Sequence, residues 1–277
     1  MQQLHHWDFH IMTKEDMLKL LKAVNPPDYI SWNMERITSC VECLQSQVPL
    51  QGLKTLDLGH DTHVGLLMAK AGAQLVGNTA PRNPAERESE AQKRGRFELA
   101  GGEVCDWSLD EFDFEGAFPY PEKTFDLVTA FEVIEHVVGS PRRFIQEVKR
   151  VLKPGGYFFV GTPNINSWAK LMRQFRHSDI YDSKPYSQNF GPRHFMCHVY
   201  EYSPWEIKDL FKSEGYEIVS LKTWDPYASD PRGLRNTVLR CLVSASLLVT
   251  GHIKESILMF RNRGHQMALL VRAPGHQ

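Results

Sequence analysis

The sequence predicts an α/β protein built on a mainly parallel sheet with helices on both faces. Strand-like and helix-like segments alternate from Lys54 onward, and the run FDLVTAF at 125–131 is strand-type and mostly apolar. A third observation is the turn KPGG at 153–156, which stops a helical segment abruptly before the next strand-like run. Ligands of such sheets bind where the carboxyl ends of the strands open into loops.

In chain order, the apolar spacing of MLKLLKAV and MERITSCVECL between Thr13 and Leu44 predicts two helices broken at NPPDY, an N-terminal helical cap over residues 1–50. KTLDLG (54–59) reads as the first strand, followed by an apolar helix through Ala73; QLVGNT (74–79) follows, then the charged helix PAERESEAQKRG. FDLVTAF leads into the helix SPRRFIQEVKRVL and the strand GYFFVGT (156–162). Residues 163–200 are rich in polar, aromatic and proline residues (PNINSW, DIYDSKPYSQNFGPRHFMCH), the composition of a lid over a site. SPWEIKDLFKSEG reads as a helix with Ser203 as N-cap and Pro204 at its first position. YEIVSLKTW and HQMALLVRA read as the last strands. Between them VLRCLVSASLLVTGHIKESILMF predicts an apolar helical insertion over about 233–262, whose charge-free run is too short to span a bilayer. Its expected role is to cover the core or to join two copies in a homodimer. The main domain then covers 51–277.

Bulk composition narrows the function. A chain of 277 residues with 42% hydrophobic side chains buries a real core, and a net charge of −1 offers no field to recruit nucleic acid or an anionic membrane. A small-molecule substrate is the expectation. Five cysteines at irregular positions fit a reducing compartment better than a disulfide framework. Cys40 and Cys43 form a C-x-x-C pair inside a helical pattern, which reads as half-buried thiols. MQQLHHWDFHIMTKEDM has neither an apolar core nor a basic leader, so the expected location is cytoplasmic.

The candidate site begins where FDLVTAF empties into EVIEH. If a helical turn starts there, Glu132, Glu135 and His136 share one face and point together at the rim, beside Gly59, Thr79 and Asp106. Two carboxylates and an imidazole so close repel unless a cation lies between them, and their donors suit Mg²⁺, Mn²⁺, Fe²⁺ or Zn²⁺. RHFMCHVYEYS in the lid supplies two more imidazoles, His194 and His198. A solvated helix start is the plain alternative, since a helix N-terminus favours carboxylates.

With LDLG, FPYPEKTFDLVTAFEVIEH and RVLKPGGYFFVGTPN in strand–loop–helix order, the chain resembles the class I S-adenosylmethionine-dependent methyltransferases from about Leu53 to Gly215. The resemblance implies a Rossmann-like seven-stranded sheet, mostly parallel with the last strand antiparallel, and S-adenosylmethionine across the first three strand ends. Asp57 and Gly59 match the family's acid-x-Gly-x-Gly-x-Gly loop, but Asp61 and His63 stand in place of its second and third glycines, with His60 between Gly59 and Asp61. Thr79 stands where the ribose-binding acid belongs, and Asp106, with Trp107 beside it, stands where the family's acid meets the adenine. Either Asp61 replaces the ribose acid while His63 packs at the helix start, or the fold serves another chemistry without methyl transfer, as other metal-dependent catalysis or a binding subunit.

Glu-x-x-Glu-His followed by a lid histidine is similar to two metal-using branches of that family, the small-RNA terminal 2′-O-methyltransferases and the ubiquinone-pathway O-methyltransferases. This implies Glu132, Glu135, His136 and His198 as metal ligands, with His194 as the alternate. Other family members with the same residues are thought to need no metal; in them the first glutamate touches substrate and the histidine caps the helix. The expected reaction is methylation of a small-molecule hydroxyl, with His194 or an unligated His136 taking its proton. Trp168, Phe175, Tyr181, Tyr186 and Phe190, with Trp7 and Tyr29, are candidates to enclose the acceptor. The sequence lacks the aromatic–basic interleaving of RNA binders.

Overall fold

The computed structural model describes residues 12–24, 31–79, 94–98, 104–175, 198–225 and 262–275. Its centre is an eight-stranded sheet comprising β1 (Lys54–Leu58), β2 (Gln74–Thr79), β3 (Arg94–Glu98), β4 (Val104–Glu111), β5 (Phe125–Phe131), β6 (Leu152–Pro163), β7 (Glu217–Trp224) and β8 (Gln266–Arg272). The spatial order is β3-β4-β2-β1-β5-β6-β8-β7. β4, β2, β1, β5 and β6 run parallel, while β8 is antiparallel to both β6 and β7 and β3 is antiparallel to β4. The mostly parallel sheet with an antiparallel last strand is as expected. β3 is the addition, and it takes over Arg94 and Gly95, which the sequence pattern assigned to the end of a helix. The rest of that helix lies outside the described residues, as do most of the lid and nearly all of the insertion at 233–262.

Both faces of the sheet are covered, and the alternation along single strands shows how. In β8, Met267, Leu269 and Val271 join one core while Ala268 and Leu270 join the other. The first core is closed by α4 (Pro141–Val151), through Phe144, Ile145, Val148 and Val151, and by α6 (Pro204–Ser213), through Ile207 and Phe211. Ser203 caps α6 reciprocally with Glu206, and Pro204 opens its first turn, so this helix starts where its sequence says. The second core is closed by α1 (Lys14–Val24), α2 (Ser31–Gln45) and α3 (Thr62–Lys70), with Met17, Leu21, Val41, Leu44, Leu66 and Leu67 buried against the sheet. α2 carries Cys40 and Cys43, both buried and unbridged, and burial pushes both thiols up.

α4 gives way to β6 without an intervening loop. KPGG lies inside the start of that strand, with Gly155 at φ 74° and a register shift opposite Phe125 and Leu127. From β1 the chain steps outward to β2 and β4, then returns to the other side of β1 as β5. The loops that leave β1 and β5 therefore diverge, and a crevice opens between them at the carboxyl edge. No helix among the described residues is long and apolar enough to cross a membrane.

Candidate active site

β5 ends at Phe131, and Glu132 takes a left-handed backbone at φ 56°, which a side chain with a β-carbon disfavours by roughly 1–2 kcal/mol. Its N–H donates to the Gly161 carbonyl at 2.8 Å, which ties the turn to β6. Its carboxylate is gripped from two sides: Arg36 Nη1 of α2 lies 2.9 Å from Oε2, and Gln266 Nε2 of β8 donates to Oε1 at 2.5 Å. After Val133, residues Ile134–His136 form a single 3-10 turn instead of an α-helical start. The tighter turn separates the two glutamates that the helical spacing had put on one face. Glu132 faces Arg36 and Gln266, whereas Glu135 turns into the protein and is fully buried.

Glu135 Oε2 accepts from Thr162 Oγ1 at 2.9 Å, but Oε1 has no hydrogen-bond partner among the described residues. Burial pushes this carboxyl well above the usual range and the charge of Glu132 pushes the same way, while Thr162 and Arg36 oppose them. The Glu135 carbonyl accepts from the N–H groups of Val199 and Tyr200 at 2.7 and 3.2 Å, and so draws the segment after the lid onto the turn. His136 Nε2 lies 4.0 Å from the orphaned Oε1, and the His136 ring meets His198 edge-on at 5.0 Å. Glu135, His136 and His198 each offer a ligand atom within 4.8 Å of the others. These three side chains could hold a cation, and a carboxylate with two imidazoles is a donor set that suits a first-row divalent ion. Of the ligands expected from sequence, Glu132 is diverted from this cluster by Arg36 and Gln266. His194 lies outside the described residues.

On the other side of the crevice, β1 delivers Asp57, 1% exposed, to a network of its own. Thr129 Oγ1 donates to Asp57 Oδ1 at 2.6 Å, and His60 Nδ1 lies 2.8 Å from Oδ2. Trp107 Nε1 donates to His60 Nε2 at 2.9 Å. The indole can only donate, so Nε2 accepts, and His60 is the Nδ1–H tautomer donating to Asp57. Its ring fills a notch floored by glycines: a β-carbon on Gly65 would come within 2.3 Å of it, and one on Gly77 within 2.6 Å. The signal in the sequence was a glycine inside a helix and another inside a strand, each of which marks close approach.

Gly59 keeps the left-handed turn at φ 64°, and a β-carbon there would lie 2.5 Å from Val133 Cγ2. Asp61, at the second glycine position, has φ −99° and needs no such freedom. It is the N-cap of α3, accepting from the N–H of His63 at 2.8 Å and facing His63 Nδ1 at 3.1 Å. Burial works against its ionisation, but the His63 ring and the backbone N–H groups of His63 and Val64 outweigh that and hold the carboxyl below its usual range. His63 therefore packs at the helix start.

Thr79 ends β2 at the rim, where its carbonyl accepts from Phe112 N–H. Asp106 does not reach the rim. β4 begins at Val104 in the β3–β4 hairpin, and the register sets Asp106 against Arg96 near the amino end of the strand, exposed. Asp110 and Glu111 are the residues level with Asn78 and Thr79. Asp110 accepts from Tyr120 Oη at 2.5 Å.

Residues 40–221 match the family model of a methyltransferase domain. The chain belongs to this methyltransferase-domain family. A mitochondrial ubiquinone biosynthesis O-methyltransferase from Dictyostelium discoideum is 28% identical over 75% of this chain and 64% of its own length. A ubiquinone biosynthesis O-methyltransferase from Leptothrix cholodnii is 33% identical over 44% of this chain and 49% of its own. The chain thus spans about half to two thirds of the length of these relatives. Among solved structures, a chain of the complex between the Trm112 methyltransferase activator of Haloferax volcanii and a methyltransferase aligns with TM-score 0.51 at 15% identity, covering 88% of this chain and 92% of that one. An S-adenosylmethionine-dependent methyltransferase from Thermotoga maritima aligns with TM-score 0.50 at 17% identity, covering 87% and 93%. These two likenesses establish the fold.

Two outcomes follow from this methyltransferase domain's geometry. In Gly77→Ala the added methyl group meets His60, and urea denaturation is expected to show a loss of about 1–3 kcal/mol, whereas Gly275→Ala, with nothing within 4 Å, leaves stability unchanged. The fold raises the Glu135 pKa above its unfolded value of about 4.3, so the folded state binds that proton more tightly; stability is greatest below that value and declines as pH rises from it through the raised folded-state value. Metal-free Glu135→Gln, which keeps the shape without the charge, should therefore melt above the metal-free parent at pH 7.5, by ~2–4 °C for each kcal/mol relieved. The difference should close toward pH 4.

Proposed function

We propose that the chain is an S-adenosylmethionine-dependent O-methyltransferase that acts on a small-molecule hydroxyl and is assisted by a divalent cation. The observation that carries this reading is the unsatisfied, fully buried Glu135 Oε1 beside His136 and His198, at the carboxyl edge of a methyltransferase-domain sheet. The relatives named for ubiquinone biosynthesis O-methylation support oxygen as the acceptor atom and a small molecule as its bearer.

The crevice between the β1 and β5 loops is the place for the donor. Gly59 leaves bare backbone there, in a space where any β-carbon would strike Val133, and Thr79 offers a hydroxyl at the end of β2 in place of the family's acid. Asp57 is held by Thr129 and His60, so its part is to fix the loop. His60 and Trp107 brace it from beneath α3, and Asp61 and His63 close the helix start. When bound, S-adenosylmethionine supplies a sulfonium methyl that an acceptor oxygen takes in a single displacement. Glu135, His136 and His198 would hold the cation, which lowers the pKa of a coordinated hydroxyl and orients it.

The chain's own contribution is positioning and proton handling. Glu132, clamped by Arg36 and Gln266, presents a fixed carboxylate at the mouth of the crevice and can receive a hydroxyl of the acceptor. His136 is partly exposed and takes the hydroxyl proton when it is not engaged as a ligand, with His194 of the lid as the second candidate. The test is calorimetric titration with S-adenosylmethionine after chelator treatment, repeated with Mg²⁺, Mn²⁺ or Zn²⁺ restored. Micromolar binding of the donor is expected, together with metal uptake by the parent that Glu135→Ala abolishes while staying folded. Absence of donor binding by folded protein in every state would replace this reading with a methyltransferase fold that transfers no methyl group, and unchanged metal content in Glu135→Ala would remove the cation site.

A further inference from the structure

The crevice proposed for the donor has a hub with no part yet assigned to it. Asn78, the second-to-last residue of β2, is fully buried and reaches the exits of three strands at once. Its carbonyl accepts from the His60 N–H at 2.9 Å, and its side-chain Oδ1 accepts from the Gly59 N–H at 3.4 Å, the longest arm of the set. Nδ2 donates to the Phe112 carbonyl at 2.8 Å, just past the end of β4, and to the Thr79 carbonyl at 3.2 Å. Each partner dictates which end of the amide it meets, since an N–H requires the oxygen and a carbonyl requires the NH₂. Successive strand residues point to opposite faces. Gly77 therefore leaves room for the His60 ring on one face of the sheet, while the Asn78 side chain reaches Gly59 from the other.

We propose that Asn78 is the positioning residue of the donor crevice, setting the exits of β1, β2 and β4 relative to one another so that S-adenosylmethionine meets preformed strand ends. The β1–β2 pairing ends at Asp57 and Gly77, and the β2–β4 pairing at Thr79 and Glu111. Gly59 and Phe112 lie beyond those last pairs, where the chain leaves the sheet. One buried amide joins both, so a shift of either exit leaves a buried polar group unsatisfied. An apolar side chain in the same place fills the space and links nothing. A crevice held in its binding shape takes its ligand at full affinity, whereas one that holds the shape only part of the time binds more weakly by that fraction. This inference deepens the proposed function and rests on the donor lying between these strand ends.

In Asn78→Asp the side-chain volume is kept and an oxygen can still accept from Gly59, but while the introduced carboxyl is ionised it cannot donate to Phe112 or Thr79. Once protonated, it can donate to the Phe112 carbonyl again. Affinity for S-adenosylmethionine is measured calorimetrically on folded protein and expressed relative to the parent at each pH, so that titrations common to both proteins cancel. It is expected to be ~10–100-fold lower near pH 8 and to recover toward about pH 5, because burial raises the pKa of the introduced carboxyl. A merely structural asparagine would lower the melting temperature and leave the affinity of the folded protein unchanged at every pH, and that result overturns the proposal. Amide hydrogen exchange of the parent decides the matter where the variant does not fold. The Gly59 and His60 N–H groups are expected to exchange slowly before S-adenosylmethionine is added, with little further slowing afterwards; fast exchange that only the donor suppresses overturns the proposal. If the folded parent binds no S-adenosylmethionine, the functional reading fails and takes this one with it. If the parent binds and Asn78→Asp binds equally well at every pH, this one fails alone.

Discussion

A carboxylate fully enclosed by protein with one oxygen unsatisfied is the constraint around which this molecule is organised. Glu135 reaches that position because β5 stops at Phe131, Glu132 reverses the backbone at φ 56°, and a 3-10 turn then points the next acid inward. Each step is held from a different element: Arg36 from α2, Gln266 from β8, Thr162 and Gly161 from β6, and the segment after the lid through the Glu135 carbonyl. Left ionised and alone, such a group destabilises the fold, since transfer of a charge from water is among the largest penalties a protein can incur. Elements far apart in sequence converge to keep it there, and two imidazoles stand beside it. A buried carboxyl perturbed in this way, in a crevice, marks a candidate functional site.

The first strand resolves a different problem with different means. A family loop that relies on successive glycines is here built from Gly59, an N-capping Asp61 and a histidine plug. The plug fits because Gly65 and Gly77 lack side chains. Asp57, Thr129, His60 and Trp107 form one hydrogen-bonded chain linking β1, β5, the loop and β4. The rim at β1 is therefore held by polar contacts, with a left-handed turn at Gly59.

The fold was largely legible in the sequence because it depends on periodicities that composition cannot disguise. Gln74–Thr79, Phe125–Phe131 and the Ser203–Glu206 cap were all readable from local pattern and local chemistry. β3 was not, since a charged hairpin strand at the sheet edge has neither an apolar face nor a fixed partner in sequence. In the site, the identity of Glu135, His136 and His198 as neighbours was legible, as was the place of His63 at the start of α3. The parting of Glu132 from Glu135 was not. It depends on a 3-10 turn in place of an α-helical one and on an arginine about a hundred residues upstream. Asp106 was set at the rim by the family resemblance; register with β2, a tertiary property, gives that level to Asp110 and Glu111. The Lys170–Glu201–His198 contacts join two segments, α5 (Trp168–Phe175) and the stretch after the lid, with no shared motif, and were visible only in the folded chain.

The most direct test of the central claim is anomalous X-ray diffraction from crystals of the protein grown with Zn²⁺ or Mn²⁺. The account predicts a single strong anomalous peak bounded by Glu135 Oε1 and the imidazoles of His136 and His198, with Glu132 still on Arg36 and Gln266. Density showing Glu135 Oε1 bonded to water or to another side chain, with no anomalous peak at that point, would contradict it.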